Sequence, residues 1–217
     1  MSVMIGLPCG GGNICEQTVV GLFNFGKDLR SSGINHALLT LSNSSLINQA
    51  RSRISNFFIN NTDFDYLFFL DSDIGFRSED VFKLMRHQLP IVSATYPMKV
   101  LPTRWMVNPV QPEERRGDLL KIHGNGLGFT LIHRQVFLDI NTHYPGLKYV
   151  PSDHHSEEPH SEGEMKNSFH HFAETKADGG FMSEDKAFFH RAKQVGYDAW
   201  LDTSIRLKHT GYHIYEG

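Results

Sequence analysis

Asp63-Phe64-Asp65-Tyr66-Leu67-Phe68-Phe69-Leu70-Asp71-Ser72-Asp73 is an apolar run that ends in two acids one residue apart. Tyr66 to Leu70 is short, aromatic-rich and unbroken, the pattern of a strand buried on both faces of a sheet. Asp71 and Asp73 then stand where that strand leaves the sheet. In open α/β sheets, ligands bind outside the carboxyl ends of the strands. Two carboxylates converging there repel each other without a cation, and hard oxygen ligands with open positions suit Mg2+ or Mn2+ bridging a phosphorylated substrate. Asp-x-Asp alone equally fits a solvated acidic turn, so the flanking segments decide.

Working outward toward the start, Val3 to Pro8 reads as a first strand running into Cys9-Gly10-Gly11-Gly12-Asn13. That glycine cluster is neither the dinucleotide fingerprint nor a P-loop. It offers a loop that lets backbone approach a flat ligand, or a plain tight turn. Ile14 to Arg30 carries Val19, Val20, Leu22, Phe23 and Leu29 at helical spacing, and Ser31-Ser32-Gly33 ends that helix. His36 to Leu41 reads as a second strand. A second helix, Leu46 to Ile59, has Ile47, Ala50, Ile54, Phe57 and Phe58 as its apolar face. Arg51 and Arg53 on it suit bidentate recognition of phosphate or carboxylate, or a solvated face.

Beyond Asp73, Ser78-Glu79-Asp80 caps a helix from Val81 to Gln88, and Pro90 to Ala94 is the next strand. It delivers Thr95-Tyr96-Pro97-Met98-Lys99 to the same sheet edge. This β-α-β order predicts an α/β fold: a Rossmann-like, mostly parallel central sheet with helices on both faces. From Pro102 to Arg116 periodicity is weak. Leu119 to Ile122 and Gly128 to Ile132 read as strands joined by His123-Gly124-Asn125-Gly126, a hairpin signal. Gln135 to Ile140 is a short helix. The polar stretch from Pro151 to Met165, with His154, His155 and His160, reads as a mobile loop, best suited to an active-site flap. Ser183 is positioned to cap a helix from Lys186 to Val195, with Glu184 and Asp185 at its positive end. Asp198 to Asp202 and Ile205 to His209 read as the last strands.

The chain has 217 residues, 40% hydrophobic and 21% charged, with a net charge of −3. This is ample for one domain with a real core. The charge supplies no electrostatic reason to expect a nucleic-acid partner. Cys9 and Cys15 fit neither a CxxC pair nor a zinc site, which points to a reducing compartment. No basic, apolar leader and no run of about 20 apolar residues is evident. The expectation is a soluble, cytoplasmic protein (host cytoplasm for a viral one).

Together these segments resemble the GT-A fold of nucleotide-sugar glycosyltransferases, in that family's order, over about residues 3 to 213. Leu7-Pro8-Cys9 resembles the strand end bordering the nucleobase. Gln49-Ala50-Arg51-Ser52-Arg53-Ile54 resembles the Ala-Arg-Asn helix, with Ser52 in place of Asn. Leu67 to Ile74 resembles the Asp-x-Asp strand, and Ser93 to Lys99 the segment bordering the sugar. Gly126-Leu127-Gly128-Phe129 resembles the Gly-x-Gly-Phe strand, and Ser183-Glu184-Asp185 the x-Glu-Asp helix. Trp200-Leu201-Asp202-Thr203 with His209-Thr210-Gly211 resembles the closing strand and its metal-binding His. In size the chain is similar to small glycosyltransferase domains of large algal DNA viruses.

The resemblance implies a single GT-A domain over 1–217, with a nucleotide-binding half (1–100) and an acceptor- and sugar-binding half (101–217). It implies a glycosyltransferase moving a hexose from a UDP-sugar to a glycan or glycoprotein acceptor. Mn2+ or Mg2+ would be held by Asp73 and His209, with Asp71 contacting the ribose and supporting the metal. Pro8, Cys9, Arg51, Asp71, Ser72, Asp73, Lys99, Gly126 and Gly128 would border the nucleotide sugar. Asp185, then Glu184, would be the general base of an inverting reaction, or would position the substrates of a retaining one. Two other readings stay open: a nucleotidyltransferase forming nucleotide sugars, which would normally carry a basic signature in its glycine-rich loop, and a non-catalytic nucleotide-sugar-binding module.

Overall fold

The computed structural model describes residues 1–105, 107–150, 167–177, 179–211 and 214–216. In chain order the elements are β1 (Val3–Cys9), α1 (Glu16–Ser31), β2 (His36–Ser42), α2 (Ile47–Asn61), β3 (Tyr66–Leu70), β4 (Ile74–Gly75), α3 (Ser78–His87) and β5 (Ile91–Ser93). Two short strands, β6 (Val107–Pro109) and β7 (Arg115–Arg116), precede β8 (Leu119–Asn125), β9 (Phe129–His133) and α4 (Arg134–His143). Then come β10 (Lys148–Tyr149), β11 (Ser168–Phe169), β12 (Thr175–Ala177), β13 (Gly180–Met182) and α5 (Glu184–Gln194). The chain closes with β14 (Ala199–Asp202), β15 (Lys208–Thr210) and β16 (Ile214–Glu216). The expected flap, Pro151 to Met165, lies outside the described residues.

The central sheet has the order β2-β1-β3-β9-β5-β14-β8-β6, with β7 also on β8. β2, β1, β3, β5, β14 and β6 run one way, and β8 and β9 run the other. The sheet is therefore mixed α/β with most strands aligned, as the β-α-β order requires. Its central strands are buried on both sides, and their alternate residues feed two cores. Val3, Ile5, Leu7, Phe68 and Leu70 pack with Phe25 and Leu29 of α1 and Val81 and Leu84 of α3. Met4, Leu67 and Phe69 pack with Ile54 and Phe58 of α2, Phe137 of α4 and Phe188 of α5. Helices thus cover both faces. A Cβ on Gly6 would stand 2.5 Å from Ile54 Cγ2, so this glycine is what lets α2 lie close on β1. Among the described residues, no helix is long and apolar enough to cross a membrane.

Three local expectations are corrected. The buried face of α1 is Thr18, Gly21, Phe25 and Leu29, whereas Val19, Val20 and Phe23 are exposed. The reason is the approach to β4: Thr18 Oγ1 donates to the carbonyls of Ser72 (3.1 Å) and Ile74 (2.9 Å), and a Cβ on Gly21 would meet the Phe76 ring at 2.6 Å. On α2, Ile47 is exposed at the first position, and the buried side includes Arg51, Ser52, Ser55 and Asn56. His123-Gly124-Asn125-Gly126 is not a hairpin. β8 and β9 run the same way and are separated in the sheet by β5 and β14. Gly126-Leu127-Gly128 carries the chain sideways past the end of β5. There Asn125 Nδ2 donates to the Ala94 carbonyl (3.2 Å), and the Ala94 N–H donates to Phe129 O (3.1 Å). These bonds take the place of a hairpin ladder.

Candidate functional site

The turn that follows β3 is fixed from three sides. The Asp71 N–H donates to Gly128 O (2.9 Å), the Cys15 N–H to Ser72 O (2.8 Å), and the Thr210 N–H to Asp73 O (2.9 Å). β9, the start of α1 and β15 therefore each hold one residue of Asp71-Ser72-Asp73. With the backbone pinned, the two carboxylates point to different partners.

Asp71 faces Arg51, whose side chain is 4% exposed. Arg51 Nη2 donates to Asp71 Oδ1 (3.1 Å) and Oδ2 (3.4 Å), and Nη1 donates to Glu184 Oε1 (3.4 Å) and to Asp185 Oδ1. One guanidinium in the middle of α2 thus ties the strand-end acid to the acids opening α5. A planar five-donor group is suited to this. Burial works against its charge, but Asp71 and Asp185 outweigh that and hold Arg51 above its ordinary value. The Asp185 carboxyl is pushed up to about 6, mainly by burial. Arg51 and the Leu127 N–H pull it back, while Glu184 and Asp71 add to the rise. Arg51, a candidate for positive charge near the nucleotide or its phosphates, faces three carboxylates in the structure.

Asp73 faces the other way. Its Oδ2 accepts from Lys99 Nζ at 2.5 Å, and its Oδ1 lies 3.5 Å from His209 Nε2. Burial would raise the Asp73 carboxyl, yet His209 and Lys99 hold it below the usual range. His209 Nδ1 donates to Pro97 O (2.8 Å), and its ring stands edge-on to Tyr96, centroids 5.0 Å apart. A histidine anchored in this way through one nitrogen presents the other, Nε2, to Asp73 or to a cation, the arrangement that orients metal-binding histidines. The donor set of one carboxylate and one imidazole nitrogen fits Mn2+, and less well Mg2+. It leaves most of the coordination shell to a ligand. Among the described residues, no group of three or more His, Cys, Asp or Glu side chains is gathered to hold a metal unaided.

The two glycines of Gly126-Leu127-Gly128 are required by contact. A Cβ on Gly126 would stand 2.3 Å from Tyr96 Oη, and one on Gly128 would stand 2.3 Å from Asp71 Oδ2 and 2.8 Å from Tyr96 Oη. Tyr96 also accepts from the Gly128 N–H (3.3 Å), and burial, followed by Asp71, pushes its phenol up. Tyr96 was not singled out from the sequence, although it sits in the segment expected to border the sugar. Its signal would have been the pairing of a tyrosine with two glycines thirty residues on, which no local pattern contains.

Pro8 and Cys9 end β1 beside Leu41 and Ser42 of β2. The Gly12 N–H donates to Cys9 O (2.9 Å) with Gly12 at φ 72°, so the glycine cluster is a tight turn. The Cys9 thiol donates to Asn13 O (3.1 Å) and is pushed up by burial. Ser52, where the resembling helix has Asn, is buried and accepts from the Phe172 N–H (3.4 Å). At the end of β3, Asp71 and Asp73 therefore lie with Arg51, Lys99, Glu184, Asp185 and His209 of β15, and Cys9 ends the neighbouring strand β1.

No protein-family model matches the chain, and no curated protein does. Among solved structures it is similar to the crystal structure of A197 from STIV, with 18% identity over 97% of this chain and 86% of that one, at a TM-score of 0.56. A likeness at that identity concerns the fold, and it agrees with the mixed α/β architecture described above.

Proposed function

We propose that this chain is a GT-A type glycosyltransferase that moves a hexose from a UDP-sugar to a glycan or glycoprotein acceptor with the help of Mn2+ or Mg2+. The reading rests on one observation above all. Asp71, Asp73, Glu184, Asp185 and His209 come from three separate parts of the chain, and they meet around Arg51 and Lys99 at the sheet edge where α/β folds bind ligands.

Asp73 and His209 would hold the cation, which when bound supplies Lewis-acid stabilisation of charge on the departing diphosphate. Lys99, on the same carboxylate, adds positive charge on that side. Pro8 and Cys9 border the base, and Asp71, held by Arg51, faces the ribose. Gly126 and Gly128, packed against Tyr96 and Asp71, border the donor sugar. Asp185 takes the proton of the acceptor hydroxyl as its oxygen bonds to the anomeric carbon and the bond to UDP breaks. A carboxyl near 6 is both available as a base at neutral pH and basic enough to help. The free thiols Cys9 and Cys15 suit a reducing compartment, so the activity is assigned to the cytoplasm.

The test is release of UDP from a panel of UDP-sugars with and without Mn2+ and acceptor. Metal-dependent UDP release, with no pyrophosphate, is expected. Nucleotide-sugar binding without turnover across a broad acceptor panel would overturn the enzyme reading.

A further inference from the structure

We infer that the acceptor is a glycoside with an apolar aglycone, and that it lies in a trench between α5 and β8 with its sugar end at Asp185. This rests on the transferase reading above and, within it, takes a sugar carried on an apolar group in place of a glycoprotein as the acceptor.

The trench has a volume of about 480 Å³, within the range of sites that enclose small molecules. One side is the face of α5 carrying Asp185, Phe189 and Lys193, and the floor is β8 from Lys121 to Asn125. Lys193 lies eight positions beyond Asp185 on α5, which makes the trench about 12 Å long. Asp185 belongs both to this trench and to the Arg51 cluster, so the cavity opens onto the candidate reaction centre.

The middle of the trench is apolar. Val110, Ile122, Met182, Phe189 and Ala199 form its walls. Gly124 keeps the floor low, since a Cβ there would stand 3.1 Å from the Phe189 ring. At the far end the charges satisfy one another. Lys121 Nζ lies 3.1 Å from Glu114 and 2.8 Å from Asp198, and Lys193 Nζ lies 2.5 Å from Asp198. Two ammonium groups facing two carboxylates leave this end with no call for a phosphate or carboxylate on the ligand. Phe181, next to Met182 in sequence, is 68% exposed. A ligand made only of sugar would find polar partners such as Asn108, His123 and His190, which also line the trench, but would leave Val110, Ile122, Met182 and Phe189 without a matching apolar surface. An apolar aglycone buries those walls and leaves the sugar hydroxyl for Asp185.

The experiment compares octyl, phenyl and methyl glycosides of the same sugar, in glucose and galactose series, below any micellar concentration. Binding is read by calorimetry without donor, and transfer is read with UDP-sugar and Mn2+. Octyl or phenyl glycosides should bind at least about tenfold tighter than methyl, the gain from burying a few methylene-sized groups. An octyl preference would indicate a lipid-linked acceptor and a phenyl preference an aryl glycoside, and either supports the inference. Val110→Asp and Met182→Asp should each erase the ratio between apolar and methyl glycosides. The ratio is the readout, and the two variants lie on different elements, so one can replace the other if it fails to fold. Equal binding of all three glycosides by an enzyme that turns over UDP-sugar overturns this inference alone. Absence of UDP release from every sugar nucleotide overturns the transferase reading and, with it, the acceptor role of the trench.

Discussion

Asp71 and Asp185, distant in sequence, share one buried cation: Arg51 Nη2 donates to Asp71 Oδ1 at 3.1 Å, while Nη1 donates to Asp185 Oδ1. Removing one partner of a buried ion pair leaves the other charged and unpaired, at a cost of about 3–5 kcal/mol. Arg51→Met should therefore lower the urea-unfolding free energy by about that much at pH 7. The deficit should shrink as the pH is lowered and the stranded carboxylates take up protons. An unchanged midpoint at pH 7 would show that the acids do not need the guanidinium.

The Asp185 carboxyl, raised to about 6, sets an acid limb. If it accepts the acceptor's proton, transfer should be half-maximal near pH 6 and fall tenfold per unit below. Asp185→Asn should lose the limb together with about 10²–10⁴ of the rate. The stability consequence has the opposite sense. A folded value above the unfolded one gives stability that is present below the ordinary carboxylate range and lost as the pH rises through 6. Asp185→Asn should accordingly melt higher than the wild type at pH 7.5, at the expense of activity. A pH-independent rate between 5 and 8 would remove Asp185 from the role of base.

Lys99 and a divalent cation compete for Asp73. With the ammonium 2.5 Å from Oδ2, Lys99→Ala should tighten Mn2+ binding roughly two- to fivefold in the absence of nucleotide, the scale of a partly exposed ion pair. Asp73→Ala or His209→Ala should abolish both Mn2+ binding and metal-dependent turnover. Turnover that survives either change would refute the metal assignment.

Gly126→Ala brings a methyl group to 2.3 Å from Tyr96 Oη. Alone it should cost about 1–3 kcal/mol, as overpacking does. In a Tyr96→Phe background, where the oxygen is gone, most of that cost should vanish. A double-mutant cycle measured by thermal unfolding reads this coupling directly. Additive effects would mean that the glycine is not there for the tyrosine.

His171 is fully buried, with Nδ1 2.8 Å from Ser55 Oγ and Nε2 2.7 Å from Asn141 Oδ1. Burial, then His170 and Arg191, hold its ring down to about 3. The unfolded ring takes a proton below about 6.5, so the stability conferred by the neutral ring is present above that pH. It is lost between about 6.5 and 3, at up to about 1.4 kcal/mol per pH unit. His171→Gln should flatten urea-midpoint curves over that window. An unaltered slope would place acid sensitivity elsewhere.

The sequence by itself determined the strand that ends in Asp71-Ser72-Asp73, because an unbroken aromatic run bounded by acids has few other uses. It also determined β1, β5 and the start of α5 at Glu184-Asp185, because strand and helix periods and N-terminal acids are local signals. The order of these elements then required an α/β sheet with helices on both faces. The face of α1 was misread because its buried side is built from Thr18 and Gly21, which a count of apolar residues passes over. Only the tertiary structure decided that β8 and β9 step past β5 without forming a hairpin, because that depends on Asn125 and Phe129 finding Ala94. The resemblance already gave the two aspartates different roles and paired Asp73 with His209; only the tertiary structure turned Asp71 to Arg51 and brought Lys99 to Asp73. Strand periodicity says where a side chain leaves the sheet. What it meets depends on residues a hundred positions away, brought there by packing in three dimensions.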